Sequence, residues 1–164
     1  MVQVVVVRHG EKQYSPSHER DWGLTLEARQ DAVRLREVLA NADAKPDLVI
    51  TSKWRHAVET AKMMAGESPA CPVIEVAGLT PYTADTFFTW SSILQEVRDA
   101  PVTLSRVRTV VLVAHHDRTV QIARALTGLP AVEEILKLEA LVLRAVSLRA
   151  LWSRRGVVVA RLHP

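Results

Sequence analysis

Val4-Val5-Val6-Val7-Arg8-His9-Gly10-Glu11 decides the fold. Four β-branched residues in a row read as a strand buried on both faces, the form a parallel strand takes inside an α/β sheet. Its carboxyl end is where open α/β sheets place their ligands. There the chain carries Arg8, a planar fork of donors suited to a phosphate or carboxylate. His9 follows, a nitrogen nucleophile or proton carrier that works near neutral pH. Gly10 is expected to let the chain turn sharply and stay close to a ligand. Standing alone, the stretch would be a strand end with two solvated polar residues.

A second strand of the same kind lies about 100 residues away. Thr109-Val110-Val111-Leu112-Val113-Ala114 is wholly apolar in its middle and ends in His115-His116-Asp117. Between the two, residues 47–52 and 73–76 read as further strands. A helix starting at Thr25 carries Ala28, Ala32, Leu35 and Leu39 on one face, and another is expected over residues 53–65. Phe87, Phe88, Ile93, Leu94 and Val97 give the apolar contacts of a third, capped by Thr83 or Asp85. Residues 141–148 and 156–162 make two late strands, joined as a hairpin at the sheet edge. This alternation predicts one α/β domain over residues 1–164, a three-layer α/β/α sandwich with a mostly parallel sheet and an antiparallel edge.

The 164 residues carry 21 basic and 18 acidic side chains, a formal charge of +3. No basic run or aromatic-interleaved stripe marks a nucleic-acid surface. Cys71 is the only cysteine, so no internal disulfide forms and nothing points to secretion. The apolar run at residues 4–7 is too short for a signal peptide or a membrane span, and the reading is cytoplasmic. Dinucleotide-binding, P-loop, zinc and serine-hydrolase patterns are absent. With no cysteine pair and no carboxylate cluster, neither a metal nor a cofactor is expected.

Arg8-His9-Gly10 resembles the Arg-His-Gly signature of the histidine phosphatase superfamily, the phosphoglycerate mutase-like fold, and further elements follow in order. Leu24-Thr25-Leu26-Glu27-Ala28-Arg29 resembles the family's Leu-Thr-x-x-Gly-Arg, with Ala28 for the glycine. Ala114-His115 resembles the strand end Gly-His. Size and motif set resemble the short bacterial phosphohistidine phosphatases across nearly the entire chain. The resemblance implies His9 as the residue that takes the phosphoryl group, Arg8 as a phosphate ligand and His115 as the second catalytic histidine. It also implies Arg20 as a phosphate ligand, since short members carry an arginine just before a Leu-Thr pair, though Leu24-Thr25 lies two residues later than usual.

One element departs from the pattern. The family has Ser-Pro-x-x-Arg-Ala-x-x-Thr-Ala, and this chain has Ser52-Lys53-Trp54-Arg55-His56-Ala57-Val58-Glu59-Thr60-Ala61. Ser52, Ala57, Thr60 and Ala61 align, which places His56 where the second phosphate-binding arginine stands. Arg55 is one residue earlier, about 100° round a regular helix. Either Arg55 or His56 is expected to fill the role. Glu11 and Asp85 are the candidate general acids, with Asp117 also placed near a strand end.

These readings imply a metal-independent phosphatase acting through a phosphohistidine on His9, with a phosphohistidine protein or a phosphorylated small molecule as substrate. The rival reading, from another class, is a phosphoryl-binding sensor that has lost turnover with its arginine. No nucleic-acid or membrane partner is expected, and the oligomeric state is not legible.

Overall fold

The computed structural model describes residues 1–67, 69–81, 90–100, 103, 106–129, 134–147 and 156–164. Side-chain alternation along strand β1 (Val2–Arg8) separates the layers. Val4 and Val6 join one core cluster, while Val5 and Val7 join another on the opposite face. Val5, Val6 and Val7 are completely buried, each burial stabilising by about 2 kcal/mol. Helices α1 (Leu26–Asn41) and α2 (Arg55–Ala65) cover the Val5 face with Ala28, Ala32, Leu35, Leu39, Ala57, Ala61 and Met64. Helices α3 (Trp90–Arg98) and α4 (His116–Thr127) cover the Val4 face with Ile93, Val97, Ile122, Ala123 and Leu126.

Between these layers runs one six-stranded sheet, ordered β3-β2-β4-β1-β5-β6. Strands β2 (Leu48–Ser52), β3 (Val73–Val76) and β4 (Thr109–Ala114) run parallel with β1, while β5 (Ala140–Ala145) is antiparallel to β1 and to β6 (Val157–Leu162). The three-layer sandwich with an antiparallel edge is therefore the observed fold. No helix among the described residues is long and apolar enough to cross a membrane.

Thr25 caps α1 as expected, its side chain accepting from the Ala28 amide. Helix α2 begins at Arg55 rather than at residue 53, because Trp54 is extended and its amide donates to Ser52 Oγ at 3.1 Å. The late strands are shorter than expected, and their connection at residues 148–155 lies outside the described residues, as do Thr83, Asp85, Phe87 and Phe88. The φ of Gly10 is not positive. A Cβ there would lie 3.0 Å from Ala28 Cβ and 3.3 Å from Leu24 and Leu138, tighter than ordinary contact, so close packing against these three side chains favours glycine here.

Candidate active site

Register brings the histidines together. In the parallel pair β1–β4, Arg8 stands opposite Ala114, so the next residue of each chain, His9 and His115, emerges at the same level of the carboxyl edge. The His9 amide donates to the Ala114 carbonyl at 3.0 Å. On the other side of β4, Thr51 pairs with Val113, which sets Ser52 beside Ala114 and its Oγ 2.8 Å from His115 Nε2. Two residues after Ser52 the chain enters α2, whose second residue is His56. Its ring centroid lies 4.3 Å from that of His9 and 5.2 Å from that of His115; His9 and His115 are 4.9 Å apart. All three rings are buried.

Each ring is oriented by a partner behind it. His9 Nδ1 lies 2.7 Å from the Gly10 carbonyl and His56 Nδ1 lies 3.1 Å from the Trp22 carbonyl. A carbonyl only accepts, so Nδ1 carries the proton in both rings and Nε2 keeps its lone pair. Thr60 bridges the elements, accepting from the Gly10 amide and donating to the His56 carbonyl. Trp54 packs edge-on against His115 and His56 at 5.0 and 5.8 Å. Segment 12–23 reaches the cluster through Trp22, beside which Lys12 sits 5.5 Å from the indole.

Burial, above all, lowers the proton affinity of the three rings, and neighbouring positive charge adds to it. His9 is pushed well below its ordinary value by burial, then by His56 and His115. His115 is pushed down to about 3, first by burial, then by His56 and Lys12. His56 is lowered by burial, partly opposed by the Trp22 carbonyl. The folded protein thus holds three neutral imidazoles. In the unfolded chain such rings protonate below about pH 6.5, so the unfolded state binds more protons as pH falls. Stability is full above that pH and drops by about 1.4 kcal/mol per pH unit for each ring kept neutral. Thermal unfolding at pH 7.5, 6.5 and 5.5 is expected to show a flat midpoint above 6.5 and a steep fall below it, shallower in His56→Gln. A midpoint constant down to pH 5 contradicts neutral burial.

Several other expected site residues lie elsewhere. Arg55 is exposed and its Nε donates to Glu59 at 2.9 Å. Glu59 also accepts from the Leu24 amide and pairs with Arg29; this carboxylate holds Arg55 away, so His56 rather than Arg55 enters the cluster. Arg20 is exposed beside Asp21, 3.5 Å away, in a short 3-10 turn at Glu19–Asp21. Glu11 pairs with Lys137, and that bond first of all holds its carboxyl below the usual range, the wrong direction for a general acid. Asp117 is exposed on the first turn of α4, and Asp85 lies outside the described residues. Arg8 stands at the edge of the cluster: Nη1 reaches the Ile135 carbonyl at 3.4 Å, and Nε is a buried donor without a partner.

Sequence reasoning missed three contributors. Ser52 and Thr60 served only as alignment anchors, and Trp54 as a variable position; their Ser-x-x-x-x-Ala-x-x-Thr spacing around α2 was the available signal. The expectation of no metal rested on absent carboxylates and cysteines. It overlooked that His9, His56 and His115 each offer a ligand atom, all within 4.8 Å of one another.

Residues 4–87, just over half of the chain, match the family model of the histidine phosphatase superfamily (branch 1). A candidate phosphohistidine phosphatase, SixA, from Agrobacterium tumefaciens superposes with a TM-score of 0.72 at 15% identity, covering 99% of both chains. The protein histidine phosphatase SixA complexed with tungstate gives 0.71 at 14% identity over 99% of this chain and 97% of that one. A mycobacterial glucosyl-3-phosphoglycerate phosphatase complexed with VO3 gives 0.68 at 21% identity over 98% of each. At these identities the likeness to solved structures is one of fold.

Proposed function

The chain belongs to the histidine phosphatase superfamily, and from that premise we infer a phosphatase that works through a phosphohistidine on His9 and needs no metal for turnover. The observation that carries this reading is the state of His9: Nδ1 is held by the Gly10 carbonyl and the ring is neutral, so Nε2 keeps the lone pair an attack on phosphorus requires. Nε2 bonds to phosphorus as the bond to the leaving group breaks, and water then cleaves the N–P bond. Charge gathering on the equatorial oxygens meets Arg8, whose buried Nε lacks a partner, together with His115 and His56 once the arriving anion has drawn protons onto their rings. Positioning and electrostatics of this kind carry most of phosphoryl-transfer catalysis.

The substrate class we assign is a phosphohistidine protein. Among the described residues Glu11 is tied to Lys137 and Asp117 is exposed, an arrangement that offers little acid assistance to an alkoxide, whereas an imidazole leaving group demands less. Two of the solved relatives bear names for phosphohistidine hydrolysis and another for a phosphorylated sugar acid, so a phosphorylated small molecule is the neighbouring choice. His56 in place of a guanidinium favours one second reading, a module that binds phosphoryl groups without turning them over.

Incubation with phosphoramidate, followed by intact mass and phosphate release, separates these. An adduct of one phosphoryl group, stable to base and lost in acid, is the expected result. Phosphate binding with neither adduct nor release identifies the sensor.

A further inference from the structure

We propose that His9, His56 and His115 form a three-histidine site for a borderline transition cation of the zinc class, seated in the same pocket that takes the phosphoryl group. The three rings come from three separate elements, the ends of β1 and β4 and the first turn of α2, yet their ligand atoms lie within 4.8 Å of one another. Nitrogens about 2.0–2.1 Å from a tetrahedral zinc put imidazole centroids about 5 Å apart. The observed separations are 4.3, 4.9 and 5.2 Å, so modest ring rotations complete the geometry.

The support behind the rings matches what a metal requires. A ligating histidine donates its other N–H to a carbonyl, carboxylate or water, which fixes the tautomer and turns the free nitrogen to the metal. His9 has the Gly10 carbonyl, His56 the Trp22 carbonyl, and His115 the Ser52 hydroxyl at 2.8 Å. His56 Nε2 supplies the independent sign: it is buried, has no hydrogen-bond partner among the described residues, and belongs to the ring packed on both His9 and His115. A buried acceptor of that kind is costly unless something satisfies it.

The donor set selects the ligand. Among the described residues the nearby carboxylates are engaged, Glu19 by Lys12 and Glu59 by Arg29 and Arg55, and the donors that converge are three neutral imidazole nitrogens. Imidazole suits zinc, cobalt, nickel and copper, whereas magnesium and calcium require oxygen. Three protein ligands leave a fourth position for water or a phosphate oxygen. A bound cation takes up the lone pair of His9, so, resting on the phosphohistidine reading above, metal occupancy and turnover exclude one another and zinc is a reversible inhibitor.

The test titrates zinc into chelator-stripped protein against a chromophoric chelator, and cobalt in parallel. The expected result is one zinc per chain, intense visible cobalt bands of tetrahedral coordination, and turnover lost in proportion to occupancy and restored by chelator. His56→Arg, which places a positive charge among the ligands, is expected to weaken zinc by more than about 100-fold, a scale that loss of even an outer partner reaches. His56→Gln serves if the arginine variant fails to fold. Equal zinc affinity in wild type and folded variant, or a pale six-coordinate cobalt spectrum in wild type, overturns the site. Zinc binding by a protein that shows no turnover even when metal-free upholds the metal site and removes the phosphatase reading; turnover in a protein that binds no zinc does the reverse.

Discussion

Phosphate release is expected to fall by about 10⁴-fold or more in His9→Ala, the scale seen when a covalent nucleophile is removed, and the base-stable adduct is expected to vanish with it. The size of the effect follows from the chemistry. With Nδ1 on the Gly10 carbonyl, His9 has Nε2 free to attack, whereas His115 Nε2 is engaged by Ser52; without His9 the attack on phosphorus loses its nucleophile and only positioned water remains. The fold is expected to persist. The ring is not part of either apolar cluster, so its removal takes nothing from the core that holds the sheet and helices together. Circular dichroism and the unfolding midpoint check this independently. Turnover within tenfold of wild type, in a folded His9→Ala protein, removes His9 as nucleophile.

The parts of this molecule that repeat a period were legible in the sequence. Val4 to Val7 and Val110 to Val113 announced strands buried on both faces, and the Thr25 cap with Ala28, Ala32, Leu35 and Leu39 marked α1, because burial and capping leave local signatures. His9 and His115 were readable for the same reason, each closing such a strand. What the sequence could not express was which residue of α2 faces inward. Arg55 and His56 are adjacent, and the choice between them rests on Glu59, which binds Arg55, Arg29 and the Leu24 amide at once. That is a contact across three segments with no periodic trace. Gly10 carries a packing constraint of the same kind: a Cβ there would press on Ala28, Leu24 and Leu138, residues far off in the chain.

Restoring the family's residue is the sharper test of what His56 does. Sulfate, a tetrahedral dianion whose charge is constant across this range, is expected to bind His56→Arg about tenfold more tightly than wild type at pH 7.5, because a hydrogen bond from a charged donor is roughly twice as strong as a neutral one. The pH dependence is expected to change with it. In wild type the free ring is neutral, its proton affinity lowered mainly by burial; a dianion arriving beside it favours the protonated form, so the complex holds more protons than the free protein. Affinity therefore rises as pH falls, by up to tenfold per pH unit for each proton taken up. An arginine is charged throughout and takes up none, so the dependence flattens to what His9 and His115 still contribute. Calorimetry in two buffers of different ionisation enthalpy reads the proton uptake directly. If wild-type affinity is already flat from pH 5.5 to 8, the charge in the pocket comes from a guanidinium instead. Either Arg8 alone then holds the anion, or Arg55 leaves Glu59 to join it, and Arg55→Ala weakens binding only in the second case.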